Sequence, residues 1–172
     1  PHLCPELPSK QKEALSLAAR AVQMYTNVLV RDWRAFEELG VSTISCPGSF
    51  YSAIRPRAPH TFGTHDPPRS PADPIIVSLG DAGGVLSWEP MVRGLRRGES
   101  IPPGTPVREQ MRLVRQAMLE TSFEDFERRI REQMARVLGP AGFDPARDIE
   151  AITVNRWPHG YAWTPNPIFD NY

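Results

Sequence analysis

Lysine is almost missing from this chain of 172 residues, with only Lys10 and Lys12 present. A phosphate-cradling loop that ends in Gly-Lys-Ser/Thr is therefore excluded. Cysteine is as scarce: Cys4 and Cys46 are the only two, too few for a disulfide framework or a four-cysteine zinc site. Neither a staple nor a metal is expected to hold the chain together. No stretch approaches the roughly 18 consecutive apolar residues of a membrane-crossing helix, and the amino end lacks the charged, apolar and cleavable succession of a secretory signal. Net charge is absent too, since 20 Lys+Arg balance 20 Asp+Glu. Neutrality argues against a protein that coats nucleic acid or anionic membrane.

Proline is in excess. Its 19 residues are concentrated between positions 56 and 106, and the total is about twice the usual share. The chain starts at Pro1 and finishes in the loop-like stretch Asn166 to Tyr172, which leads to the expectation of a piece of a longer protein.

Ser9 can cap a helix from Lys10 to about Val22, with Leu15, Leu17, Ala18 and Val22 as its apolar stripe. Met24 to Arg31 is rich in β-branched and aromatic residues and predicts a strand. Asp32 is expected to cap a short helix, Trp33 to Leu39, stopped by Gly40. Val41 to Ser45 and Phe50 to Ile54 predict two more strands, joined through Cys46-Pro47-Gly48. The segment 55–74 is a Pro-rich loop. Ile75 to Leu79 is near-continuously apolar, as in a strand covered on both faces. The next segment, 80–106, predicts a second irregular stretch, with Trp88, Met91 and Leu95 as its core candidates.

The later part is more regular. Val107, Met111, Val114 and Met118 recur at helical spacing after Pro106. Ser122 caps a helix whose Phe123, Phe126, Ile130, Met134 and Val137 form one stripe. Glu124/Arg128, Asp125/Arg129, Glu127/Arg131 and Glu132/Arg136 place each acid four residues before its base, worth about 0.2–0.5 kcal/mol per pair. Gly142-Phe143-Asp144-Pro145 starts a short capped turn, and Ile149 to Arg156 predicts a final strand with Ile152 and Val154 on one face. This order of elements predicts an α+β fold, a mixed sheet with flanking helices.

Most candidate sites fail on their own chemistry. Gly80-Asp81-Ala82-Gly83-Gly84 follows a strand, but a dinucleotide fingerprint needs glycine where Ala82 and Val85 stand. His60 and His65, with Asp66, lack a third ligand at fixed spacing, and His2 near Cys4 fares no better. No Gly-x-Ser-x-Gly elbow exists, although a dispersed triad is not excluded by spacing. Arg93, Arg96 and Arg97 form a basic cluster that reads as a solvated or partner-facing loop.

The segment Arg156 to Pro167 differs in density. Trp157, His159, Tyr161 and Trp163 follow the last strand directly, where sites are commonly built. Gly160 would let the backbone approach a planar group. The faces of Trp157, Tyr161 and Trp163 can hold a cation or stack on a ring, or else plug the end of a sheet.

Four blocks together resemble the bacterial spermidine dehydrogenases and their FAD-dependent relatives. They are Pro1 to Pro8, Tyr25 to Trp33, Gly142 to Ile149 and, above all, Ala151-Ile152-Thr153-Val154-Asn155-Arg156-Trp157-Pro158-His159-Gly160-Tyr161-Ala162. The similarity is weakest from Arg55 to Met118.

The resemblance implies a flavin amine oxidase-like plan, with this chain as a portion of the FAD-dependent enzyme's substrate domain. Residues 1–156 would be the substrate-binding segment, and 157–172 the connection back toward the flavin domain. It implies oxidation of an amine, a polyamine such as spermidine, by hydride transfer to FAD. Trp157, His159 and Gly160 would then approach the cofactor, and Phe50, Tyr51, Trp157 and Tyr161 would line the substrate space. No catalytic residue and no metal ligand is assigned. The carboxylates Glu37, Glu38, Asp66, Asp81, Glu89 and Asp170 are candidates for holding distal ammonium groups, none singled out. Most of the FAD contacts, the electron acceptor and any haem would belong to the remainder of the same enzyme, in the bacterial periplasm or cytoplasm, with the periplasm favoured by the resemblance. A binding or assembly module, or one chain of a split protein, is the alternative of another class, and a flavoenzyme for a non-polyamine substrate is a third.

Overall fold

The computed structural model describes residues 4–17, 20–58, 60–61, 63–64, 66–80 and 88–160. Its elements run α1 (Ser9–Leu17), β1 (Gln23–Val30), α2 (Arg34–Leu39), β2 (Ile44–Ser45), β3 (Ala53–Pro56), β4 (Ile75–Gly80), α3 (Trp88–Leu95), α4 (Val107–Glu120), α5 (Phe123–Leu138), α6 (Pro145–Asp148) and β5 (Ile149–Trp157). Five strands form one sheet in the order β2-β3-β4-β1-β5. Every neighbouring pair is antiparallel. The α+β class is as expected, while the sheet is antiparallel rather than mixed.

β1 organises this sheet. It pairs with β5 from Gln23↔Trp157 to Val30↔Ile149, and with β4 from Thr26↔Leu79 to Val30↔Ile75. Alternation along a strand sends successive side chains to opposite faces. Thr26, Val28 and Val30 are buried, whereas Tyr25 is exposed and Asn27 and Leu29 are half-buried. The helices supply the other side of the core through Met111, Val114 and Met118 of α4 and Phe126, Ile130, Met134 and Leu138 of α5, all buried. Burying each such side chain stabilises the fold by about 1.5–3 kcal/mol.

Coverage of β4 is uneven. Ile75, Val77 and Leu79 are buried on one face, and on the other Ser78 is buried while Ile76 is 47% exposed. The expectation of a strand covered on both faces holds at Ser78 and fails at Ile76.

Several local expectations shift for tertiary reasons. Phe50, Tyr51 and Ser52 form a bend ahead of β3 instead of its first half. Buried Gln133 of α5 accepts from the Tyr51 N–H at 3.2 Å and donates to the Tyr51 carbonyl at 2.6 Å. That side chain takes the bonds a neighbouring strand would make. β2 shrinks to two residues, and α1 is described to Leu17, with Leu15 exposed rather than in a core stripe.

Segment 80–106 is not wholly irregular, since α3 lies within it and buries Val92 and Leu95 while Met91 packs against the core. Pro90 sits in its first turn, where a missing N–H costs nothing. A Cβ on Gly94 would meet the Phe50 ring at 2.5 Å, so this glycine serves helix packing. The side chain of Trp88 lies outside the described residues.

α5 keeps its predicted cap, with Ser122 Oγ accepting from the Asp125 N–H. Its charges rearrange. Glu127–Arg131 forms as predicted at 2.8 Å, but Arg128 pairs with Asp125 and Glu132. Arg129 turns inward, donating to the Gly94 carbonyl at 3.1 Å with its guanidinium 5.1 Å from the Phe50 ring centroid. Phe123, expected in the stripe, is exposed.

The Gln133 bridge is testable. Gln133→Leu leaves a buried N–H and a buried carbonyl of Tyr51 without partners, for a loss of about 2–4 kcal/mol in urea unfolding. A loss below about 0.5 kcal/mol, as at ordinary surface positions, would show that the bend holds without it.

Candidate functional site

β1 extends beyond β4. Thr26↔Leu79 is the last pair of their ladder among the described residues. Next to this ladder end lies a cavity of about 370 Å³, lined from the open face by Tyr25, Asn27, Arg55, Arg57 and Ser78 and from the helical side by Phe50, Tyr51 and Met91. The two sequence-predicted wall residues, Phe50 and Tyr51, thus meet in one cavity.

Tyr51 is the more constrained of the two. It is 3% exposed, its hydroxyl lies 3.1 Å from Thr26 Oγ1, and its ring meets Phe50 edge-on at 4.9 Å. Burial pushes its phenol up to about 12, against smaller lowering effects from the Thr26 hydrogen bond and the Arg129 charge. A phenol held protonated in this way packs and hydrogen-bonds, and does not serve as a base near neutrality.

Trp157, His159 and Gly160 gather at the neighbouring end of β5. Trp157 lies opposite Gln23 in the ladder and therefore on the open face, 55% exposed. His159 is exposed. The Gly160 N–H donates to the Ala21 carbonyl at 2.8 Å. A Cβ there would meet Gln23 Cβ at 2.9 Å and the Ala21 carbonyl oxygen at 3.2 Å. The glycine is thus fitted to the chain's own packing against β1. Tyr161 and Trp163 lie outside the described residues.

Two arginines position this segment and carry no sequence signal of that role. Arg115 of α4 donates from Nε to the Pro158 carbonyl at 2.8 Å and from Nη2 to the Arg20 carbonyl at 3.3 Å. Arg156, on the helical face, donates from Nη1 to the Leu119 and Thr121 carbonyls at 3.3 and 3.1 Å. These lie at the C-terminal end of α4, where backbone carbonyls are short of partners and a cation is favoured. Helix and strand end thus hold each other.

The remaining candidates do not converge. Glu37 and Glu38 are exposed on α2, and Asp66 pairs with Arg69 at 2.7 Å. His2, His65, Asp81 to Gly84 and Asp170 lie outside the described residues, as does the Glu89 side chain. Among the described residues no group of three or more His, Cys, Asp or Glu could hold a metal. No described helix is long and apolar enough to cross a membrane. No protein-family model matches the chain, and no curated protein matches it.

Two measurements probe this geometry. The Tyr51 phenol is raised from 10.0 to about 12, so an unfolded chain loses its proton first and stability falls from about pH 10 to about pH 12. The full decline attributable to Tyr51 is about 2–3 kcal/mol. Tyr51→Phe should cost about 1–2 kcal/mol at pH 8, because Thr26 loses its partner, and should flatten that alkaline decline. An unchanged decline would place its origin elsewhere. For the strand end, Gly160→Ala should abolish slow amide exchange at residue 160, and retained protection would mean that Ala21 and Gln23 accommodate the methyl group.

Proposed function

We propose that this chain forms the substrate-side portion of a FAD-dependent oxidoreductase acting on an amine, with the open sheet face turned toward the cofactor. The observation that carries the proposal is the adjacency of the Trp157 segment to that cavity: Trp157 pairs with Gln23 of β1, and Gln23 lines the cavity together with Phe50 and Tyr51. The Trp157 segment is also the longest block resembling the spermidine dehydrogenases.

The fit to a flavin rests on exposed aromatic surface. A planar, largely apolar ring system suits a wall such as Trp157, and exposed His159 can hydrogen-bond beside it. Gly160, where a Cβ would meet Gln23, keeps the backbone beside them compact. FAD, when bound, supplies the redox chemistry: it accepts the hydride of the carbon next to a neutral amine, whose nitrogen gives up a proton as the imine forms.

This chain's contribution is placement and exclusion of water. Tyr51 and Phe50 present an aromatic wall whose geometry Gln133, Thr26 and Arg129 fix, and Met91 adds apolar surface. Arg115 holds the Pro158 backbone, which sets the direction of the segment after Trp157. Such positioning matters because small displacements of reacting groups cost large factors in rate. The flavin-binding remainder of the same enzyme is the proposed cover of the open face, where Tyr25, Ile76 and Trp157 are exposed.

The full natural protein should carry a flavin absorption spectrum that an amine bleaches anaerobically. Trp157→Ala should slow that bleaching by about 10-fold or more. A protein that yields no flavin on denaturation rejects the proposal.

A further inference from the structure

The cavity beside the end of β4 carries charge of one sign. Arg55 on β3 and Arg57 just after it are two residues apart and so share a face, and both line the cavity. Neither makes an ion pair or side-chain hydrogen bond among the described residues. Several guanidiniums of the helical layer are matched by carboxylates, Arg112 by Glu109, Arg131 by Glu127 and Arg147 by Asp148. Among the described cavity-lining residues there is no carboxylate at all.

The surroundings narrow what would sit there. Ser78 lies opposite Arg55 in the ladder, and its hydroxyl donates to Asn27 Oδ1 at 2.8 Å, giving a polar floor across the strands. Tyr25, Phe50 and Met91 form the apolar part of the lining. Two guanidiniums that line one cavity disfavour an ammonium group there. Their planar forks match a carboxylate bidentately. Phosphate sites typically add free backbone N–H groups or a helix N-terminus, whereas β3 and β4 use their backbone in pairing, the Arg57 N–H donating to the Ile76 carbonyl.

We infer that this cavity binds a carboxylate attached to an apolar or aromatic body, with Arg55 and Arg57 holding the carboxylate and Tyr25, Phe50 and Met91 facing the body. Resting on the function proposed above, the substrate is then an amine that also bears a carboxylate, and not a polyamine. Arg55 and Arg57 are specificity-determining residues in this arrangement.

Calorimetric titration of the full natural protein with benzoate, spermidine and inorganic phosphate tests the inference, because heat is read whether or not a flavin is present. Benzoate should bind, and Arg55→Ala and Arg57→Ala should each weaken it about 10- to 100-fold. Arg55→Lys should recover only part of the loss, since it restores charge without the fork. Unfolding midpoints near the wild type establish that these exposed positions leave the fold intact. Absence of benzoate binding, equal affinity in the alanine variants, displacement of benzoate by phosphate at comparable concentration, or spermidine binding that benzoate does not displace each overturns the inference. A colourless protein whose benzoate affinity depends on both arginines rejects the flavin proposal alone. A flavoprotein reduced by amines and indifferent to both arginine changes rejects this inference alone.

Discussion

The alternation of side chains along Gln23–Val30 is the constraint on which the rest of the molecule depends. β1 is hydrogen-bonded on both sides, to β4 and β5, so its two faces define those of its neighbours. Sending Thr26, Val28 and Val30 toward α4 and α5 obliges Tyr25, Asn27 and Leu29 to point away. A slip of one residue would exchange the two sets and bury Asn27. The register therefore decides both where the core lies and which side of the sheet stays open. The one polar residue that β1 sends inward, Thr26, is accommodated because the Tyr51 hydroxyl reaches it.

Polar contacts between layers then fix the details. Gln133 reaches from α5 to the Tyr51 backbone, and Arg129 reaches from the same helix to Phe50 and Gly94. Arg115 and Arg156 join α4 to the two chain segments that meet at the end of β5. Arginine acts in these places on backbone carbonyls rather than carboxylates, and the guanidinium satisfies groups that secondary structure leaves over. The Phe50–Tyr51 wall lies on the helical side and Trp157 on the open side, yet both are held by the helical layer.

Periodic segments were legible in the sequence. The spacing of Met111, Val114 and Met118, the Ser122 cap, the Gly40 stop and the capped turn at Gly142 to Pro145 each follow from local rules, and each is found, whereas the helix expected to be capped by Asp32 starts at Arg34 with Trp33 in the cap position. Phe50 and Tyr51 were legible as aromatic wall candidates, but their bend was not, because it depends on Gln133 from 82 residues away. α3 was hidden by Pro90 and Gly94, residues that discourage a helix unless one falls in the first turn and the other packs against a ring. The ion pairs of α5 followed spacing only at Glu127–Arg131, since Arg129 is drawn away by Phe50 and Gly94. Arg55 and Arg57 were invisible as a pair of interest until β3 and β4 placed them on one cavity.

What the sequence determined by itself was local: where helices start and stop, which runs are extended, and that aromatic residues crowd the end of the last strand. These follow from backbone preferences and periodicity within a few turns or pairs. The tertiary structure decided which face of the sheet is bare, that Gly160 serves contact with β1, and that two arginines share a cavity with Tyr25, Phe50 and Tyr51. Those outcomes depend on strand register and on long-range side-chain contacts, and neither is encoded in the spacing of neighbouring residues.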